Sequence, residues 1–256
     1  MLAVKRFLSI FAVLVATFVS AQANAQAALR VAAAADLEPV LPPILAEFKQ
    51  TTGISVEATF KSSAVLATQI QNGAPFDIFF SADMSFPQRV ADSGLAASTS
   101  PILYAKGTLV LWTRKDSRLT PSLDLLRSDQ LKRLAIANPE RAPYGRAAVA
   151  ALNSLKLYDS LKSKLVTADN IAQAAQFADS GNADAGLISL TSAMTPHMTA
   201  NGLYFVIPRD LYPAIEQGAI VLSKSSQRAA AQKLLDYILS APVQMQLSHH
   251  GLAPAK

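Results

Sequence analysis

Leu29-Arg30-Val31-Ala32-Ala33-Ala34-Ala35-Asp36-Leu37 is the stretch on which the fold turns. Leu29 to Ala33 reads as a β-strand, and the small residues Ala34 and Ala35 lead out of it to Asp36. Leu37, Val40, Leu41, Ile44, Leu45 and Phe48 then recur at helical spacing, so the strand runs into a helix with Asp36 placed as its N-cap. Gly53 suits the end of that helix, and Ile54 to Phe60 alternates as a second strand.

The same unit recurs downstream. Ser62-Ser63 precede Val65, Leu66 and Ile70, a second capped helix closed by Gly73, and Asp77 to Ser81 is a strand with an Ile-Phe-Phe core. Leu109 to Trp112, Leu134 to Ala137, Gly186 to Ile188 and Ala219 to Leu222 read as further strands. Helices are expected over Arg146 to Leu155, Ile171 to Ala178 and Ala229 to Leu239, with a loop rich in turn residues from Asn138 to Gly145. Short β-rich runs alternating with amphipathic segments predict an α/β fold with largely parallel strands.

Lys5 and Arg6 precede an apolar run from Phe7 to Val19, and Ala23-Asn24-Ala25 supplies the small-x-small pattern of a cleavage site, so residues 1–25 are expected to be a signal peptide. The run is shorter than the roughly 20 residues that span a bilayer. Its removal takes two cations from a formal charge of +5 and leaves +3, with the remaining Lys and Arg scattered, which argues against a nucleic-acid partner. At 51% apolar residues the chain can bury ample core, and with no cysteine it has neither disulfides nor thiolate chemistry.

Three loops lie directly between a strand and a helix start: Ala35-Asp36, Ser62-Ser63 and Pro143-Tyr144-Gly145. Each such junction offers backbone N–H groups and the positive end of a helix dipole, which together suit an anion. Every α/β protein has capped helix starts, however, and most bind nothing, so the loops alone leave both readings open. Enzymatic motifs are missing: there is no G-x-S-x-G, no Walker A loop, no G-x-G-x-x-G and no H-E-x-x-H. His249 and His250 are adjacent and make a poor chelate, and Asp77, Asp83 and Asp184 suit capping or surface roles better than a catalytic pair.

Ala32 to Leu37, Phe60-Lys61-Ser62-Ser63, the run Asn72 to Asp83, Ala137-Asn138-Pro139-Glu140 before Pro143-Tyr144-Gly145, and Gly251-Leu252 together resemble the periplasmic molybdate-binding protein family. The resemblance spans nearly the whole chain after residue 25, in order. It implies the two-domain, hinged α/β fold of the type II periplasmic binding proteins, with the ligand in the cleft between domains. One domain is expected from 26–109 with 212–256, the other from 110–211. The implied function is periplasmic capture of molybdate or tungstate for an ABC importer permease in the inner membrane, by a monomer that is not an enzyme and carries no cofactor. Molybdenum would enter only as the bound oxyanion, without direct protein ligands.

Family members hold the oxyanion with neutral donors at five places, which correspond here to Asp36, Ser63, Tyr144, Ile171 and Ser189. Ser63 matches as a hydroxyl at a helix start, Ile171 would act through its backbone N–H, and Tyr144 stands where the family has a small residue or a tyrosine. Two positions depart from the pattern. Asp36 stands where many relatives have a serine or threonine, and Ser189 where many have a tyrosine. A carboxylate accepts but does not donate at neutral pH. Asp36 therefore either caps its helix while its backbone N–H serves the ligand, or indicates another cargo in the same fold: a protonated oxyanion such as phosphate or arsenate, or a cation. Arg146 is open to two readings, a cation that balances Asp36 or stiffens the Tyr144 loop, and a solvated arginine at a helix start.

Overall fold

A computed structural model describes residues 27–255; the expected signal peptide lies outside them. The chain runs through β1 (Leu29–Ala34), α1 (Leu41–Thr52), β2 (Val56–Lys61), α2 (Ser63–Gln71), β3 (Ile78–Phe80), α3 (Ser85–Asp92) and β4 (Ile102–Gly107). It continues with β5 (Leu109–Arg114), β6 (Leu134–Ala137), α4 (Pro143–Ser154), α5 (Tyr158–Leu161), β7 (Leu165–Ala168), α6 (Ile171–Asp179), β8 (Ala185–Ser189), α7 (Leu190–Ala193), α8 (Pro196–Asn201) and β9 (Gly202–Val206). It closes with β10 (Ile215–Val221), α9 (Arg228–Ile238), α10 (Ala241–His249) and β11 (Ala253–Pro254). Among the described residues no helix is long and apolar enough to cross a membrane.

These strands form two mixed sheets, the first ordered β11-β4-β10-β3-β1-β2 and the second β7-β6-β8-β5-β9. In the first, β1 lies between β2 and β3 and is parallel to both. It has helices on each face: α1, α9 and α10 build one apolar core around Phe48, Leu234 and Val243, while α2 and α3 build the other around Leu66, Phe79 and Val90. A strand covered on both faces is apolar almost throughout, and of the residues of β1 only Arg30 is exposed. In the second sheet, β6 is parallel to β7 and β8, and α4 and α6 pack on it in a separate core that contains Trp112, Leu134 and Ala174.

Parallel pairing decides where the loops go. The carboxyl ends of β1, β2 and β3 share one edge, so Asp36, Ser62-Ser63 and Ala82 emerge side by side. The carboxyl ends of β6, β7 and β8 likewise release α4, α6 and α7 together. Open α/β sheets bind ligands beyond such ends. The two sheets are joined by Thr108 alone between β4 and β5 and by residues 207–214 between β9 and β10.

The first helix corrects the expectation for Asp36. Residues Ala35–Leu37 form a single 3-10 turn, and α1 begins only at Leu41, with Val40 as its N-cap and prolines in its first turn. Pro42 and Pro43 explain the delay, because prolines lack an N–H and are tolerated at a helix start but not in its interior. Asp36 therefore caps no α-helix. Proline also moves the start of α4, which opens at Pro143 rather than Arg146. Gly145 sits in its first turn against β6, where a Cβ would run into the carbonyl oxygen of Ala137. Gly145→Ala should push the start of α4 off the sheet and destabilise the fold by about 1–3 kcal/mol, the usual cost of overpacking, and urea unfolding measures it.

Candidate functional site

Three helix starts meet at one small hollow. Ser62 and Ser63 bring the N-terminus of α2, Ala142, Pro143 and Tyr144 that of α4, and Asn170 and Ile171 that of α6; Ala34, Ala35, Asp36 and Ala82 complete the wall. The hollow is narrow, with a cavity volume of about 10 Å³. Helix α2 follows a strand of the first sheet, and α4 and α6 follow strands of the second, so the hollow lies between the two sheets. Alanines at the ends of β1 and α4 let the backbones approach closely.

The donors follow from helix geometry. The N–H groups of a first turn have no partner within the helix. Some are taken here: Ala64 donates to the Arg141 carbonyl at 3.2 Å, and Gly145 and Arg146 turn back to Ala142 O. In α6, Asn170 caps by accepting from the Gln173 N–H at 2.9 Å. The N–H groups of Tyr144 and Ile171 remain at the dipole ends of α4 and α6. Ser63 Oγ accepts from the Ala82 N–H at 3.1 Å, leaving its own hydrogen to donate. Ser62 is the N-cap of α2 but makes no side-chain cap bond, and its buried Oγ has no partner.

Asp36 dominates the electrostatics. Its side chain is 0% exposed. Oδ2 accepts from the Tyr144 hydroxyl at 3.1 Å and from Gln217 Nε2, while Oδ1 has no partner. Gln217 is held in turn, since its Oε1 accepts from the Tyr104 hydroxyl at 2.7 Å. Thr191 Oγ1 donates to the Asp36 carbonyl at 2.8 Å and lies 2.9 Å from Ser189 Oγ. Burial pushes the Asp36 carboxyl up from 3.8 to about 6, against the lowering effect of the Gln217 and Tyr144 hydrogen bonds and, less, of its own backbone N–H. Burial, reinforced by the charge of Asp36, also holds the Tyr144 and Tyr104 hydroxyls well above their ordinary value, so both stay neutral donors.

Asp36, Ser63, Tyr144 and Ile171 thus come together at the hollow. Ser189 does not line it: its buried Oγ accepts from the Ser192 N–H at 3.3 Å and caps α7, behind Thr191 and the backbone of Asp36. Arg146 does not balance Asp36 either. It pairs with Asp83 and lies over the Phe86 ring at 5.2 Å, tying α4 to the turn before α3. The remaining carboxylates hold loops in place, Asp77 through the Arg30 N–H at 2.7 Å and Asp184 through the Lys132 and Arg133 N–H groups. Among the described residues no three His, Cys, Asp or Glu side chains are placed to share a metal ion. A larger hollow beside Arg30, Asp77 and Lys224 lies at the amino ends of β1 and β3, away from the three helix starts.

Gln217 and Gly107 are the residues that pattern reading missed. Gln217 is the one amide in the Ile215–Val221 strand, buried at a β-bulge between Glu216 and an apolar run, and a polar residue at such a place was a usable signal. Gly107 gives no such sign; a Cβ there would strike the Tyr144 hydroxyl.

Residues 29–253 match the family model described as bacterial extracellular solute-binding protein, and the chain belongs to that family. It is 40% identical over 215 residues to the molybdate-binding protein ModA of Azotobacter vinelandii, covering 84% of this chain and 85% of that one. It is 38% identical to ModA of Rhodobacter capsulatus, covering 81% of each. The solved Azotobacter vinelandii periplasmic molybdate-binding protein superposes with a TM-score of 0.83 at 30% identity, over 88% of this chain and 98% of that one. The two-sheet architecture is thus that of the type II periplasmic binding proteins.

The raised Asp36 carboxyl has a consequence for stability. A carboxyl whose pKa is higher in the folded state favours folding while protonated, so its contribution is full below about 3.8 and is lost as pH rises through about 6. At 1.36 kcal/mol per pH unit the loss is at most about 3 kcal/mol. Without ligand, Asp36→Asn should be more stable than the wild type at pH 8, and the gap should shrink between pH 6 and pH 4. Denaturant unfolding across that range tests it.

Proposed function

We propose that this chain is a periplasmic receptor that binds a tetrahedral oxyanion, molybdate or tungstate first, and hands it unchanged to the permease of an ABC importer. The observation that carries the reading is the meeting of three helix N-termini at one hollow lined by no lysine, arginine or histidine. Dipole ends and neutral donors suit an anion that must be released again. The relatives whose names specify molybdate support the choice of cargo, and the narrowness of the hollow suits a small solute. Residues 1–25 act in this reading as a cleaved signal peptide, and the receptor works as a monomer.

In this reading residues 26–109 with 212–256 form one lobe and 110–211 the other, and they hinge at Thr108 and in 207–214. The ligand bridges them. Ser63 donates its hydroxyl and Tyr144 and Ile171 their N–H groups, while Ser189 supports the wall from behind Thr191. Sulfate has the same charge and geometry as molybdate, so discrimination comes from the size of the closed hollow. Titration calorimetry at neutral pH with molybdate, tungstate, sulfate, phosphate and chromate tests the assignment. Saturable heat with molybdate and tungstate is expected, and saturation by phosphate alone would contradict it.

Ser63 is the hydroxyl whose loss should cost most. A hydrogen bond to a charged group contributes about 1.5–3 kcal/mol, so Ser63→Ala should weaken molybdate binding roughly ten- to a hundred-fold at 1.4 kcal/mol per decade. The same calorimetric titration reads the change.

A further inference from the structure

The hollow presents a contradiction that the functional reading leaves unresolved. It is built for an anion, yet one wall is a fully buried carboxyl whose Oδ1 has no partner. Oδ2 already takes the hydrogens of Tyr144 and Gln217, so the free oxygen is the part of Asp36 left to meet a ligand. A carboxylate and a dianion in contact repel strongly in a dry site, at an energy no exposed pair would have. The repulsion vanishes if a proton lies between them, because a protonated carboxyl turns from acceptor into donor.

Among the described residues no other group nearby relieves the charge. The titratable residues that touch the network are Tyr144 from α4 and Tyr104 from β4, both neutral, with Tyr212 behind Tyr144. On the elements packed against the 3-10 turn, β2 carries Glu57 and Lys61, both exposed, α6 carries Asp179 at its far end, paired with His197, and α7 carries no ionisable side chain. Glu216 on β10 is exposed, Lys106 on β4 is partly so, and the Arg146 guanidinium is held by Asp83. Ser62 Oγ, buried and unpartnered in the same wall, adds a neutral donor but no charge.

We infer that the protein captures its oxyanion together with one proton, held between Asp36 Oδ1 and a ligand oxygen, so that Asp36 serves as a hydrogen-bond donor to the bound anion. This rests on the oxyanion reading above. No covalent bond forms or breaks; the proton comes from solvent and returns there on release. A carboxyl already raised to about 6 in the free protein is mostly ionised at pH 8, and the arriving negative charge raises it further. Binding at pH 8 therefore consumes close to one proton per anion. By linkage the affinity falls about tenfold per pH unit above 6 and levels off below it. Asn at position 36 mimics the protonated acid: its Oδ1 can accept from Tyr144 and Gln217 while its Nδ2 donates into the hollow.

The experiment is calorimetric titration of the wild type with molybdate at pH 6 and pH 8, at each pH in two buffers of different ionisation enthalpy, repeated with D36N. The count of protons taken up needs only the wild type, so it does not depend on the variant folding. About one proton per molybdate at pH 8, with a dissociation constant several-fold to a hundred-fold weaker than at pH 6, supports the inference. So does a D36N variant that takes up none and binds equally at both pH values. Saturable molybdate binding by the wild type with zero proton uptake at pH 8 overturns the inference and leaves the oxyanion reading standing. No saturable binding of molybdate or tungstate at either pH overturns both.

Discussion

The hydrogen bond from the Tyr144 hydroxyl to Asp36 joins the first turn of α4, on the second sheet, to the turn after β1, on the first. The geometry of the hollow depends on this contact. Tyr144 reaches Asp36 because Gly107 leaves room for its hydroxyl and Gly145 lets α4 start hard against β6. Gln217 completes the clamp from β10, and Tyr104 holds Gln217. Each member is a buried polar group whose bonds are worth more in a dry interior than in water. The carboxylate also sets the cost: a charge placed among helix N-termini is attracted by the dipoles but competes with any anion for the same donors.

As a proposed oxyanion site, this arrangement would separate the recognition of charge from the recognition of size. In the proposed reading, dipole ends and hydroxyls supply attraction without a counter-ion that would hold the ligand too firmly, and closely packed alanines beside β1 and α4 keep the space narrow. On the rim, the Arg146–Asp83 pair is partly exposed and contributes little energy of its own. Its value is positional, since it fixes α4 against the turn that leads into α3 and helps align Tyr144 with Ser63.

Much of this was legible in the sequence because strand-to-helix junctions leave a strong mark. The run from Leu29 to Asp36, the serines at 62–63 and the turn-rich stretch before Gly145 all lie at the hollow. What escaped were features set by proline and by tertiary contact. Pro42 and Pro43 delay α1 past Asp36, so a residue positioned as a helix cap instead turns inward to meet Tyr144. Ser189 sat at the right strand end, but the hydroxyls of Thr191 and Ser192 engage it locally and Thr191 stands between it and Asp36. Gln217 lies 181 residues from Asp36 along the chain, a pairing no periodicity can display.

In the proposed reading the oxyanion sits among the starts of α2, α4 and α6. Crystals grown with tungstate, with tungsten located by its anomalous scattering, test that most directly. One strong peak is expected in the hollow, with tungstate oxygens within hydrogen-bonding distance of Ser63 Oγ, the N–H groups of Tyr144 and Ile171, and Asp36 Oδ1. A peak instead beside Arg30 and Lys224 at the amino ends of β1 and β3, or none between the two sheets, would contradict it.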